Sequence, residues 1–466
     1  MLLLIQMQWN TCYSERRSGS SKSKEIPRTE YQRDYDRLIF ASSFRRLQNK
    51  TQVFPLPGST FVHNRLTHSL EVASVGRSLG KIVGDYIASN HIDAEDDRSI
   101  QFYRYDLSSV IASACLAHDI GNPAFGHSGE KAISNYFLEN EETKIEGKVL
   151  RAFFDDRQWE DLINFEGNAN AIRVLTHAYR DKPVGGMRLT LTTLAAILKY
   201  PCESVAVDKA YKHRKKYGFF QTERETFQDI VETLDMKREH DDPIVCARHP
   251  FVYLVEAADD ICYRIIDMED AHRLGIMSKE IVSQAFLNII DQVDRPEDDI
   301  DKIKDTFSKV LDDNDSIAYL RAKCINALTL ESAAVFAAHS DEIINGTYQS
   351  TLIDSIEENC QALADIIDLS VAKIYSHHSV VEIEITGYHV MSHLLKLFVP
   401  AVLRKKSKGT DRMALSLIPL QFREFETTDD PYLKVMSVVD FISGMTDAYA
   451  TEFYRKTTGI DISKHV

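Results

Sequence analysis

Residues 107–123 read LSSVIASACLAHDIGNP. The apolar run from Leu107 has the length and pattern of a helix, and Gly121 and Pro123 mark where it stops. His118 and Asp119 sit at that stop, where packing fixes the backbone while the side chains can face a cleft. An adjacent imidazole and carboxylate can both bind one metal ion. The plainer reading is a polar carboxy-terminal turn, with the histidine near the negative end of the helix dipole. The dipeptide alone does not choose between the two.

Two further segments favour metal. Upstream, Arg65-Leu66-Thr67-His68-Ser69-Leu70-Glu71-Val72 opens a second helical pattern that runs to about Val83. Downstream, Tyr253-Leu254-Val255-Glu256-Ala257-Ala258-Asp259-Asp260-Ile261-Cys262-Tyr263 lies in a longer one. His68, His118, Asp119 and Asp259 would supply two imidazoles and two carboxylates from three helices. Such mixed nitrogen and oxygen ligation suits manganese, magnesium, iron, nickel, cobalt or zinc, and leaves positions for water and substrate. A second constellation is His127 with Glu130, after a Pro/Gly-containing turn. Their spacing of three at a helix start puts both side chains on one face. A carboxylate there fixes the tautomer of a proton-accepting histidine. The bland alternative is capping of the first turn by Ser128 and Glu130.

The order H…HD…D resembles that of the HD-domain phosphohydrolases. Longer segments are similar to the deoxyguanosine triphosphate triphosphohydrolase branch. They are Asp34 to Phe40, Phe44 to Pro55 (FRRLQNKTQVFP), His118 to Glu130 (HDIGNPAFGHSGE), Phe165 to Leu175 (FEGNANAIRVL), Glu256 to Tyr263 (EAADDICY) and Gly444 to Ala450 (GMTDAYA). They span nearly the whole chain. The resemblance implies an all-α fold, with a helical HD core over 1–275 and a helical carboxy-terminal region over 276–466 packed on it. It implies one divalent ion per site, manganese or magnesium first, and hydrolysis of dGTP or other dNTPs at the α-phosphorus to deoxynucleoside and triphosphate. It also implies a homo-oligomer, hexameric in the family, and weak single-stranded DNA binding.

Within that frame His127, oriented by Glu130, would activate or position the attacking water. Asp259, Tyr263 and Asp267 lie at i, i+4 and i+8 on one helical stripe. Asp259 would bind metal, Tyr263 would pack on the deoxyribose, and Asp267 would hold the sugar 3′-hydroxyl or a basic neighbour. Asp260 is adjacent, but Asp259 shares the face of Tyr263. A triphosphate needs cations; Arg65, Lys199 and Lys216 are candidates, though each alone is more often a solvated surface charge. The resemblance adds Tyr200 to the nucleotide site and gives Gln52 and Val53 to the base, with Arg45 beside them. A glutamine amide donates and accepts at once, which suits a guanine edge.

Composition is that of an ordinary globular enzyme: 466 residues, 44% apolar, 27% charged. A formal charge of −15 argues against a nucleic-acid-coating protein, yet permits a local basic pocket. Seven scattered cysteines without a CxxC pair fit a reducing compartment. Met1 to Ile5 is too short for a signal segment, and no run approaches a membrane span, so a cytoplasmic protein is expected. Apolar periodicity predicts helices over 68–89, 107–119, 129–138, 168–180, 190–199, 250–272, 279–293, 299–312, 317–338, 352–375, 384–404 and 431–457. Ile244-Val245 and residues 187–192 are the weak strand candidates, and Ser18 to Lys24 is a Ser/Gly/Lys stretch expected to be mobile. His389 and His393, four apart, lack an acidic partner between them and read as packing or surface groups, as do His377 and His378. Rival readings are a broad dNTPase, an HD phosphohydrolase of monophosphates, cyclic nucleotides or alarmones, and a nucleic-acid-binding regulator on an HD scaffold. Loss of the metal ligands would favour the last, and all four are present.

Overall fold

The computed structural model describes residues 7–19, 28–54, 62–180, 184–293, 295, 299–406 and 408–460. Residues 20–24 of the Ser/Gly/Lys stretch and Pro55 of the amino-terminal motif lie outside them. Apart from turns and loops, the regular structure of the described residues is helical except for two small antiparallel pairs, β1 (Lys144–Ile145) with β2 (Lys148–Val149) and β3 (Arg238–Asp241) with β4 (Ile244–Cys246). The fold class is all-α.

Helix α1 (Glu30–Phe40) leads to the helices that carry the site. α2 (Arg65–Asn90) starts at a capping box, in which the Asn64 side chain accepts from Thr67 N while the Thr67 hydroxyl pairs with Asn64 N. α3 (Leu107–Ala117) buries nearly every residue. Gly76 and Gly80, four apart in α2, let the two helices come close. A Cβ on Gly76 would stand 2.4 Å from Cys115 Sγ, and one on Gly80 would stand 2.9 Å from Ser108 Cα. Those contacts leave no room for a side chain. α7 (Val252–Arg273) completes the trio at the same level, with Ala258 next to Gly76. His68, His118 and Asp259 are thereby drawn to one point.

Between them run α4 (Gly126–Glu139), α5 (Gly167–Thr176) and α6 (Leu191–Ile197). After α8 (Asp313–Ala338) come α9 (His378–Leu403), α10 (Pro431–Ser443) and α11 (Asp447–Thr458). Two hydrophobic cores form, and each draws on both sides of residue 275. One joins α2, α3 and α7 to residues as far as Val380. The other joins α4 to Val390, Leu394, Phe398, Val439 and Ala450.

Several sequence expectations change. The helix predicted over 352–375 is interrupted at 358–360, and the one over 431–457 breaks at 444–446, where Thr446 caps a new helix. The helix over 168–180 ends at Thr176. Residues 187–192 form no strand; Thr190 makes an isolated bridge to Arg17 and then caps α6. Ile244-Val245 does form a strand, paired with a partner the periodicity did not show. All seven cysteines are buried free thiols. Among the described residues no helix is long and apolar enough to cross a membrane.

Candidate active site

α2, α3 and α7 end their shared packing at a compact cluster of donor atoms. His68 Nε2 lies 3.0 Å and His118 Nε2 3.3 Å from Asp259 Oδ1. The ligand atoms of these three residues all fall within 4.8 Å of one another. Asp119 stands beside them, its Oδ1 3.6 Å from His118 Nε2. It is engaged by Arg65 at 2.7 Å and by the amide of Asn122. Asp260 is not in the cluster; it faces the same cleft one residue on.

The donor set fits a divalent cation. His118 Nδ1–H donates to Cys115 O at 2.6 Å, which leaves the Nε2 lone pair pointing into the cluster. That Nε2 is buried and has no well-directed hydrogen bond among the described residues. Burial alone would lower the His118 pKa, but the carboxylates of Asp119 and Asp259 push it up to about 9. Burial would likewise raise Asp259, yet the two imidazoles hold its carboxyl well below the usual range. A cation at this point would take the place of that proton.

A cleft of about 680 Å³ opens over the cluster, a size that suits a nucleotide-sized ligand. His127 projects into it from the first turn of α4 with its side chain 75% exposed. His127 Nδ1 bonds Glu130 Oε2 at 2.8 Å, and Glu130 Oε1 accepts from Gly167 N at 2.8 Å. Burial works to raise Glu130, but the His127 hydrogen bond, with the imidazole and Lys216 charges, holds it lowered. The capping alternative is not what the structure contains. Ser128 donates to Glu384 O, and no side chain caps α4.

The cleft is also lined by cations, two of them matched to carboxylates. Lys199 Nζ is 3.2 Å from Glu256 and Lys216 Nζ 2.7 Å from Glu166. Burial would lower both ammonium groups, but those carboxylates raise them. Lys215 also lines the cleft, lowered by burial and by Lys199. Gln52, Val53, Arg65, Tyr200 and Tyr263 line it too. Gln52 Oε1 is buried with no hydrogen-bond partner among the described residues.

The chain is similar to known proteins over nearly its full length. Residues 65–197 match the HD domain, and residues 354–456 match the phosphohydrolase-associated domain. A deoxyguanosinetriphosphate triphosphohydrolase-like protein of Synechocystis sp. is 35% identical over 98% of this chain and 100% of its own. A Pseudomonas aeruginosa protein of the same description is 36% identical over 97% of this chain and 99% of its own. The chain belongs to the deoxyguanosinetriphosphate triphosphohydrolase-like family of HD-domain hydrolases. A Yersinia enterocolitica protein named deoxyguanosinetriphosphate triphosphohydrolase is 29% identical over 94% of this chain and 95% of its own. The HD domain is a metal-dependent phosphohydrolase fold, and the His68, His118 and Asp259 cluster has the donor types it requires.

As an HD-domain hydrolase the chain brings most of its predicted site residues together, with two departures. Arg45 does not line the cleft; it is exposed, its guanidinium 5.7 Å from the ring of Phe40 on the outer face. Asp267 lies behind the wall and accepts from Tyr375 Oη at 2.8 Å rather than from a basic neighbour. Burial raises its carboxyl to about 8, with the Tyr375 hydrogen bond opposing. Tyr375 itself was not anticipated. It lines the cleft and stacks on Tyr263, with ring centres 5.9 Å apart and planes 15° from parallel. Val380, Ile383 and Glu384 of α9 form another unforeseen wall. No spacing rule could reach them, because they return to the cleft from far along the chain.

Proposed function

We propose that this hydrolase cleaves dGTP, or dNTPs more broadly, at the α-phosphorus to give a deoxynucleoside and inorganic triphosphate. The observation that carries this reading is one cleft holding three things at once. They are the His68, His118 and Asp259 donor cluster, the His127–Glu130 pair, and the Arg65, Lys199 and Lys216 cations. A monophosphate or cyclic nucleotide has too few phosphate oxygens to draw all three cations from their carboxylate partners. When bound at His68, His118, Asp119 and Asp259, a divalent ion, manganese or magnesium by resemblance, supplies Lewis-acid polarisation of a phosphate oxygen.

The chain's own residues handle the rest. Glu130 holds the Nδ1–H of His127, so Nε2 carries the lone pair that accepts a proton from the attacking water. The water oxygen bonds to the α-phosphorus as the bond to O5′ breaks. The departing 5′-oxygen takes up the proton that the water lost, so the step balances. Arg65, Lys199 and Lys216 would exchange their carboxylate partners for phosphate oxygens. Gln52 Oε1 would accept from a guanine N–H edge, and the Tyr263–Tyr375 stack would flank the sugar where a 2′-hydroxyl would crowd. The test is hydrolysis of the four dNTPs and GTP with manganese or magnesium, products separated by chromatography. Deoxynucleoside plus triphosphate, with dGTP fastest, is the expected result. Equal rates on all dNTPs would make it a broad dNTPase, and release of dNMP or orthophosphate would overturn the reaction.

A further inference from the structure

The Gly444–Ala450 segment (GMTDAYA) lies outside the cleft lining, yet it grips two of the segments that form the cleft. Asp447 is buried at the start of α11. Its Oδ2 accepts from Thr51 N at 2.8 Å, and its Oδ1 accepts from Phe125 N at 2.9 Å. Thr51 immediately precedes Gln52 and Val53. Phe125 stands two residues before His127, in the left-handed region at φ 61°. A side chain other than glycine rests there only when its surroundings hold it. The Phe125 side chain is held against Gly387 of α9, where an added Cβ would come within 2.4 Å of Phe125 Cβ. Lys50 ties the same segments again, its Nζ donating to Asn122 O at 2.5 Å and Ser443 O at 2.9 Å.

We propose that Asp447 is a positioning residue for the reaction: its carboxylate fixes the base-facing segment Thr51–Val53 relative to the loop that presents His127. The proposal rests on the functional reading above. One carboxylate bonded to backbone N–H groups of two separate cleft-lining segments makes base recognition and proton transfer depend on a common support. A base seated on Gln52 is thereby held at a set distance from His127.

The experiment compares wild type with Asp447→Asn and Asp447→Glu. The asparagine amide has one acceptor oxygen for two N–H donors, so one segment must lose its bond. Peptide-resolved hydrogen exchange should quicken over residues 50–54 or 122–130, whichever segment loses its bond, and stay unchanged in α2 and α7. The kcat/KM for dGTP should fall about ten- to a hundredfold, as misplacement of reacting groups does, and the preference for dGTP over the other dNTPs should narrow. Asp447→Glu keeps both oxygens and should recover part of both effects. Unchanged exchange at both segments overturns the proposal whatever the activity. Faster exchange spread over the whole chain, with selectivity intact, also overturns it, because Asp447 would then be a general stabiliser. A wild-type enzyme inactive on every dNTP would instead sink the functional reading alone, and the exchange data would still decide the anchor.

Discussion

Replacing Glu130 with glutamine changes one atom and separates the two duties of that side chain. Glu130 receives His127 Nδ1 on one oxygen and Gly167 N on the other, each at 2.8 Å. The amide offers one acceptor. If that acceptor stays on Gly167, the NH₂ group faces Nδ1 and forces the imidazole to carry its proton on Nε2, where it cannot take one from water. If the amide turns over, two N–H groups oppose each other and a buried backbone donor goes unpaired, at about 1–3 kcal/mol. Gly167 N–H is the more deeply buried partner, so the first arrangement wins and catalysis suffers rather than the fold. A positioned base contributes about 10²–10⁴-fold, or about 3–5 kcal/mol of barrier. Steady-state dGTP hydrolysis by Glu130→Gln should fall by that factor, with bound metal and helical circular dichroism near wild type. His127→Ala should fall as far, and the double variant little further, since the two act as a unit. A single variant retaining more than about a tenth of wild-type kcat, or losses that multiply in the double, would refute the pairing.

His118→Ala should lose bound metal and activity together while keeping its circular dichroism, read by elemental analysis; retained metal would move the ion elsewhere. Gln52→Ala should reduce discrimination for dGTP over the other dNTPs by about ten- to a hundredfold, the cost of one unpaired buried group, measured as ratios of kcat/KM. Stability should weaken in acid because of His249. Burial lowers its pKa to about 4, and its neutral ring is doubly satisfied, Nε2–H donating to Cys12 O and Nδ1 accepting from Phe251 N. The unfolded chain takes up a proton below about 6.5 while the folded one does not, so stability is lost as pH falls from there towards 4. Up to about 3 kcal/mol is at stake, and thermal melts of His249→Gln should show a smaller fall across that window.

The donor cluster was readable because a helix converts spacing into direction. His118-Asp119 at a helix stop and Asp259 with Tyr263 four apart both point where the 3.6-residue period sends them. Asp259 rather than Asp260 joins the cluster for the same reason. Resemblance placed Gln52 and Val53 at the cleft but misplaced Arg45, because a matching motif does not say which way an exposed arginine on a short helical turn leans. The pairing of Lys199 with Glu256 and of Lys216 with Glu166 was invisible, since each joins elements that only the tertiary fold brings together. Tyr375 and Glu384 were missed on the same account. Periodicity also ran past the break at 358–360, where apolar spacing continues although the helix does not. At 444–446 a signal was available, Gly444 followed by the capping Thr446, and it marks where the helix restarts.

Asp447 reaches Thr51 across 396 residues of chain. At a synthesis rate of about 5–20 residues per second, the anchor emerges from the ribosome roughly 20–80 s after the segment it seats. The trio of helices that holds the donor cluster can gather well before then, but the mouth of the cleft stays unassembled until Asp447 has emerged. A nascent or truncated chain can thus display the donor cluster without the finished cleft, and the two should ripen on different clocks.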